Sequence, residues 1–381
     1  MISLIEHWIE MIESWVWGPP LLILLVVVGL YLTLRTRGLQ FRYLFYAHKL
    51  AFTRHDDKAA GDISHFQALM TALAATIGIG SITGVATAIA IGGVGSLVWM
   101  WIAALLGMAT KYGEAILAIK YRSVDERGEM CGGPMYYIEK GLKAKWLAIL
   151  FAVFGAIAAL GTGNMVQANS VALAVAELTP IPPIWSGVFL FIISGLAIYG
   201  GIKSIGKVAS ILVPAMAFFY IFGGLTVILL KAKLILSAFS FIFTSAFTGQ
   251  APIGGFVGAT VMLAIQFGIS RGVFSSEAGL GTSPIAAAAA KTDTPGRQAL
   301  VSMCSVFITT GIVCTITGLI IVISGVLGEL GPDGRILDGS ALALRSFNSI
   351  IPYGGVIVTI ALIPFAYSTI LGWSYYGEKC V

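Results

Sequence analysis

The sequence predicts an all-α polytopic membrane protein, and three observations carry that prediction. Hydrophobic residues make up 57% of the chain and charged ones 11%, where a soluble domain carries about a quarter charged residues. The mean hydropathy is +0.92. Apolar segments near the ~20 residues that cross a hydrocarbon core recur about nine times, with the charges gathered between them. The 381 residues therefore read as one membrane domain.

Taken in order, Met1 to Trp17 with Glu6, Glu10 and Glu13 lacks a basic n-region and a cleavage site, so it reads as an amphipathic lead-in. The apolar segments then lie at about 18–35, 65–90, 95–119, 147–177, 184–200, 207–230, 254–288, 298–327 and 350–373. The second opens on Ser64-x-x-Gln67, a capping-box spacing that fixes a helix start. Basic residues alternate with the spans. Arg35, Arg37, Arg42, Lys49, Arg54 and Lys58 follow the first, and Arg122, Arg127, Lys140, Lys143 and Lys145 the third. Lys203 and Lys207 follow the fifth, and Lys291 and Arg297 the seventh. The positive-inside rule puts these loops in the cytoplasm and the N-terminus outside, with Lys231 and Lys233 dissenting.

Two spans are interrupted. Thr76-Ile-Gly-Ile-Gly-Ser-Ile-Thr-Gly84 breaks the second with glycines and hydroxyls. Peptide units freed at mid-depth find no water in lipid, so such a break is tolerated only beside a protein-lined cavity. There it offers amides to an anion and carbonyls to a cation, as the broken helices of secondary transporters do. Gly268 to Ser283 breaks the seventh with four glycines, five hydroxyls and the ionisable residues Arg271 and Glu277, read here as a pair. Breaks five spans apart are what an inverted five-plus-five repeat produces.

Other classes fit poorly. A net charge of +5 confined to loops gives no nucleic-acid surface, and Cys131, Cys304, Cys314 and Cys380 have no metal-ligand spacing. Gly78-x-Gly80 is no nucleotide loop, because no strand precedes it. No nucleophile–base arrangement appears, and no cofactor is implied. A channel would repeat a ring of ligands, which two isolated breaks do not.

The chain resembles the alanine/glycine:cation symporter family. The motifs are Gly61-Asp-Ile-Ser-His-Phe-Gln-Ala-Leu-Met70, Ile82-Thr-Gly-Val-Ala-Thr-Ala-Ile89, Trp99-Met-Trp101, Gly107-Met-Ala-Thr-Lys111, Gly132-Gly-Pro-Met-Tyr136, Arg271-Gly-Val-Phe-Ser-Ser-Glu-Ala-Gly-Leu-Gly281 and Gly372-Trp-Ser-Tyr-Tyr-Gly-Glu-Lys379. The match runs from about Trp17 to Cys380. It implies a leucine-transporter-like fold in the cell (inner) membrane, with 18–35 as an extra N-terminal helix, 65–230 as the first repeat and 254–381 as a partial second, and Na⁺-coupled import of alanine and glycine by alternating access. Three departures stand out. Ser81 replaces the usual Asn, Thr309 in Phe307-Ile-Thr-Thr310 replaces a common Asp, and Val94 replaces Pro. The family normally continues for about two more helices after Lys379, so the second repeat is expected to be incomplete or completed by a separate polypeptide.

The resemblance implies the following site. The substrate carboxylate meets the amides of Ile79 and Gly80, with Ser81 beside them. Gln167 meets the ligand's polar end, Phe274 and Trp373 wall a pocket small enough for a methyl group, Gly279 lends backbone, and Thr369 belongs to the substrate site as well as to the ion's. Na⁺ takes carbonyls of Ala74 and Ile77 and the hydroxyls of Ser368 and Thr369. A second cation site at Ser81 and Thr309 is weak or absent, because short hydroxyls replace longer ligands, so one Na⁺ accompanies each substrate. Two other readings stay open. One is a transporter of the same fold for another small solute or driven by protons, and the other is a non-transporting relic or membrane sensor.

Overall fold

The computed structural model describes residues 8, 11–12, 15–53, 59–178, 181–251, 258–331 and 334–381. Most of the lead-in before Trp17, Arg54 and Lys58, Pro180 and residues 254–257 of the seventh predicted segment lie outside the described residues.

In chain order the helices begin with α1 (Pro19–Arg35), α2 (Leu39–Phe52), α3 (His65–Thr76), α4 (Thr83–Gly92) and α5 (Ser96–Lys120). A two-stranded hairpin of β1 (Ser123–Val124) and β2 (Met130–Cys131) follows, then α6 (Pro134–Leu142). Next come α7 (Lys145–Ala158), which passes through a π-helical turn at Ala159–Met165 into α8 (Val166–Leu178), and then α9 (Pro183–Tyr199), α10 (Gly201–Leu230) and α11 (Ile235–Thr248). The remainder is α12 (Val261–Ser276), α13 (Pro284–Ala288), and α14 (Pro295–Val306), which continues through a π turn at Phe307–Cys314 into α15 (Thr315–Ser324). Last come α16 (Gly339–Ile350) and α17 (Gly355–Cys380). Among the described residues, five stretches are long and apolar enough to cross a membrane: Ser96–Lys120, Lys145–Ala176, Gly201–Leu230, Pro295–Ser324 and Gly355–Cys380. The bent pair α1 and α2, at 79°, makes a sixth if counted as one span.

The predicted segments overlap helices, though among the described residues fewer than nine of them are long enough to span, and four helices were not anticipated: α2, α6, α11 and α16. α2 lies inside the stretch read as a basic loop, and its Ala47, Leu50 and Ala51 are buried at the helical spacing. α11 is apolar, but its 14 residues fall short of a span.

The local rules behind the segments that matter are legible. Ser64 caps α3 reciprocally: its Oγ accepts from the Gln67 amide at 3.1 Å, and Gln67 Oε1 accepts from the Ser64 amide at 3.0 Å. Thr260 caps α12 by accepting from the Leu263 amide. α12 stops where Glu277 takes a left-handed φ of 55°, and prolines open α13 and α14. α7 turns Trp146, Ile149, Val153, Phe154 and Ile157 outward, as a lipid-facing helix must.

The segments before α3, between α5 and α6, after α13 and at the end of α17 meet at one end of the bundle. Arg122 donates to the carbonyls of Ala60, Ala288 and Ala290 at 2.9–3.1 Å. The Asp62 amide donates to the Ala289 carbonyl at 2.8 Å, and the Met130 amide donates to Asp62 Oδ2. Lys379 Nζ, with its side chain 4% exposed, reaches Asp125 at 2.7 Å and Glu129 at 2.9 Å. At the opposite end the Val94 amide donates to Gln250 Oε1, and Gly95 abuts the Ala246 backbone.

Candidate functional site

The first break is real backbone, not a kink. The α3 ladder ends with the Ile77 amide on the Leu73 carbonyl at 2.7 Å. Gly78 is then extended, and Ile79–Ser81 form a single 3₁₀ turn before α4 begins. A helix end leaves its last carbonyls and the next helix's first amides without ladder partners. Here the Ser81 amide turns back to the Gly78 carbonyl and the Ile82 amide to the Ile79 carbonyl. Among the described residues nothing accepts from the amides of Gly78, Ile79 and Gly80. On the carbonyl side, Ala74 is gripped twice, by Ser368 Oγ and by Thr369 Oγ1, each at 3.2 Å.

Glycines set how closely the neighbours approach. A Cβ at Gly372 would stand 2.8 Å from the Ala75 amide nitrogen, so α17 lies directly on the end of α3. A Cβ at Gly78 would stand 2.5 Å from Thr369 Oγ1 and 3.5 Å from Gln167 Oε1. A Cβ at Gly80 would meet the Phe274 ring at 3.1 and 3.2 Å, and one at Gly163 would overlap Trp373 Cβ at 2.5 Å. Ala74, Ile77, Gly78, Gly80, Gln167, Phe274, Ser368 and Thr369 therefore converge on one break, with Trp373 one turn further along α17. Gln167 donates through Nε2 to the Thr162 carbonyl at 3.2 Å, while its buried Oε1 has no partner. Trp373 is 8% exposed and meets Tyr376 edge to face at 5.7 Å.

Two expectations, those for Gly279 and Ser81, do not fit this geometry. Gly279 faces away: its φ is +92°, and a Cβ there would stand 2.4 Å from Leu25 of α1 and 3.9 Å from Thr110 of α5. It serves the packing of α1, not the break. Ser81 is fully buried, with Oγ 3.4 Å from Ser275 Oγ and its carbonyl accepting from Thr317 Oγ1 at 3.1 Å. Ser81 thus braces the turn against α12 and α15. Thr309 donates to the Ser305 carbonyl of its own helix at 2.8 Å. The hydroxyl chain from Ser81 runs instead to Ser275 and on to Cys314, 3.1 Å from Ser275.

The second break carries a polar network that sequence reading assigned differently. Arg271 and Glu277 do not pair. Glu277 accepts from Thr282 Oγ1 at 2.8 Å, and Lys111 Nζ donates to the Ser276 carbonyl at 2.6 Å. Glu114 accepts from the Gly281 amide at 3.1 Å. Lys111 and Glu114 lie three apart on α5, a spacing that faces one side. That spacing was the available signal for this second group, because only a broken helix gives such a pair carbonyls and amides to hold.

Comparison with known proteins adds the following. The sequence profile described as the sodium:alanine symporter family matches residues 2–381. A sodium/alanine symporter of Methanococcus maripaludis is 56% identical over 377 residues, covering 98% of this chain and 82% of that protein. A probable sodium/glutamine symporter of Bacillus subtilis is 35% identical, covering 99% of this chain and 77% of its own length. Among solved structures, a variant of the manganese transporter of Eremococcus coleocola superposes with a TM-score of 0.55 at 14% identity. That match covers 86% of this chain and 68% of that one, a likeness of fold alone.

Proposed function

The chain belongs to the sodium:alanine symporter family, and on that premise we propose that it imports alanine and glycine with one Na⁺ per substrate by alternating access. Membership makes it a multi-pass membrane transporter of amino acids coupled to Na⁺, not an enzyme. The finer reading places it in the cell membrane with the N-terminus outside. It takes residues 65–230 and 254–381 as two repeats of one transport domain, preceded by the helix at 18–35. The meeting of the basic segments at one end of the bundle supports that orientation.

One observation carries the reading: the amides of Gly78, Ile79 and Gly80 are unpartnered at a break inside an apolar helix. In lipid such amides need an acceptor. A carboxylate supplies it, favoured by the positive end of α4. The orphaned Gln167 Oε1 beside Gly78 is the acceptor for the substrate ammonium. Phe274 and Trp373 wall the side-chain face, and a methyl group fits where a branched chain overlaps them. The Ala74 and Ile77 carbonyls, with the Ser368 and Thr369 hydroxyls, form an oxygen-only set suited to Na⁺. The short hydroxyls of Ser81, turned to Ser275, and of Thr309, bonded to the Ser305 carbonyl, argue against a second ion there.

The test is counterflow of labelled alanine in liposomes containing this chain, with and without Na⁺. Alanine exchange that requires Na⁺ and is competed by glycine supports the reading. Exchange indifferent to Na⁺ but driven by a proton gradient overturns the coupling.

A further inference from the structure

Arg271 is the charged side chain that neither the central site nor the packing accounts for. It lies on α12 one helical turn before Ser275, on the side of the break towards Val261. Its Cδ stands 4.0 Å from where a Cβ on Gly84 would be. Its guanidinium carbon lies 6.0 Å from the centroid of the Phe274 ring. Phe274 in turn packs on Gly80. The ring thus lies beside two donor groups, the free amides of the break and the guanidinium. Arg271 Nε is buried with no hydrogen-bond partner, and among the described residues no carboxylate pairs with the guanidinium. Glu277, the acidic residue of the same motif, is engaged by Thr282.

A guanidinium held in a membrane bundle without a counter-charge is costly and marks a site that an anion completes. Its planar fork of donors matches a carboxylate better than any neutral group. Under the orientation proposed above, the Val261 end of α12 opens outward, so an incoming amino acid passes Arg271 before Phe274. Resting on that functional reading, we infer that Arg271 is an outer docking site for the α-carboxylate. The carboxylate is held there before it moves past Phe274 onto the amides of Ile79 and Gly80.

The test uses R271Q and R271K in proteoliposomes with labelled alanine. In R271Q, kcat/KM for uptake falls ~10-fold, the low end of what electrostatic steering supplies, while Vmax at saturating alanine is retained. R271K keeps the charge but not the fork and recovers part of the loss. Equilibrium binding of alanine in Na⁺ stays within about threefold of the parent protein, because a stage on the route does not alter the end state. That binding also certifies that the variants fold. An unchanged kcat/KM in R271Q overturns the inference. A parallel loss of binding overturns it too, by placing the guanidinium in the central site. Failure of the parent protein to take up alanine with Na⁺ would instead sink the functional reading, which is a separate outcome.

Discussion

The sharpest perturbation is Gly78→Ala. The backbone at Gly78 has a φ of −116°, on the side of the map that alanine also occupies, so the effect is steric rather than conformational. The new methyl would stand 2.5 Å from Thr369 Oγ1, where an ordinary contact is 3.4 Å or more. Thr369 cannot simply swing aside, because the same hydroxyl donates to the Ala74 carbonyl at 3.2 Å and the Phe365 carbonyl at 3.0 Å. Overpacking of this kind costs ~1–3 kcal/mol, and the lost hydroxyl contact adds ~0.5–1.5 kcal/mol. If Thr369 is also an ion ligand, the second part appears in the Na⁺ titration, where 1.4 kcal/mol is a factor of ten. The expected result is a Na⁺ half-saturation for alanine uptake raised ~10-fold, with a lowered melting temperature in detergent. Adding Thr369→Ala relieves the overlap and restores melting without restoring Na⁺ affinity. A single variant with parental Na⁺ dependence would refute the placement of the ion between α3 and α17.

The remaining predictions follow from other contacts. Gly163→Ala drives a methyl into Trp373 Cβ and shifts the indole, so competition assays should show altered discrimination between alanine and larger amino acids, by ~10-fold if one methylene is at stake. Ser368→Ala leaves the Ala74 carbonyl one of its two hydroxyl donors, and Na⁺ titration should show a smaller rise in half-saturation than Thr369→Ala produces. For Asp125, partial burial raises its pKa. The hydrogen bond from Lys379 and the Glu129 amide, the Lys379 charge and the Arg127 amide more than offset this, so its pKa lies below the ordinary value. A depressed carboxylate stabilises above its unfolded pKa of ~3.9 and loses that contribution as pH falls through the lower folded value. Acid melting curves of Asp125→Asn should therefore lose the part of the parent's pH dependence that lies below about pH 4.

Much of this architecture was legible because lipid imposes it. The apolar segments at 95–119 and 207–230 match α5 and α10, the first to within one residue at each end, since a span must be long and apolar whatever it packs against. The break at 76–84 was legible for the same reason: glycine and hydroxyl at mid-depth have no purpose in lipid alone. What failed was facing. Gly279 and Ser81 sit in the right motifs, yet one turns to Leu25 and the other to Ser275. A broken segment has no 3.6-residue period from which direction can be read. The pairing of Arg271 with Glu277 failed similarly. Glu277 takes a left-handed φ as the helix ends, which turns it off the α12 face that carries Arg271.

The same arrangement explains why ion and amino acid would move together without any reacting group. Thr369 stands between the two candidate subsites, its hydroxyl on the Ala74 carbonyl and at the edge of the space beside Gly78. An ion drawn to the carbonyl end of α3 turns that hydroxyl's lone pairs towards itself and fixes the separation of α3 from α17. The separation sets where the Gly78 to Gly80 amides point, and hence how well they hold a carboxylate. Each ligand therefore meets a site the other has already ordered, a reciprocal coupling of ~1–3 kcal/mol. The membrane potential adds ~2.3 kcal/mol per charge per 100 mV to the ion's descent. On this reasoning, raising Na⁺ from far below to far above its half-saturation should tighten alanine binding ~5- to 150-fold. The same factor must appear when alanine is varied and Na⁺ binding is measured. Unequal factors would mean that the two ligands do not share the hinge formed by Ala74, Gly78 and Thr369.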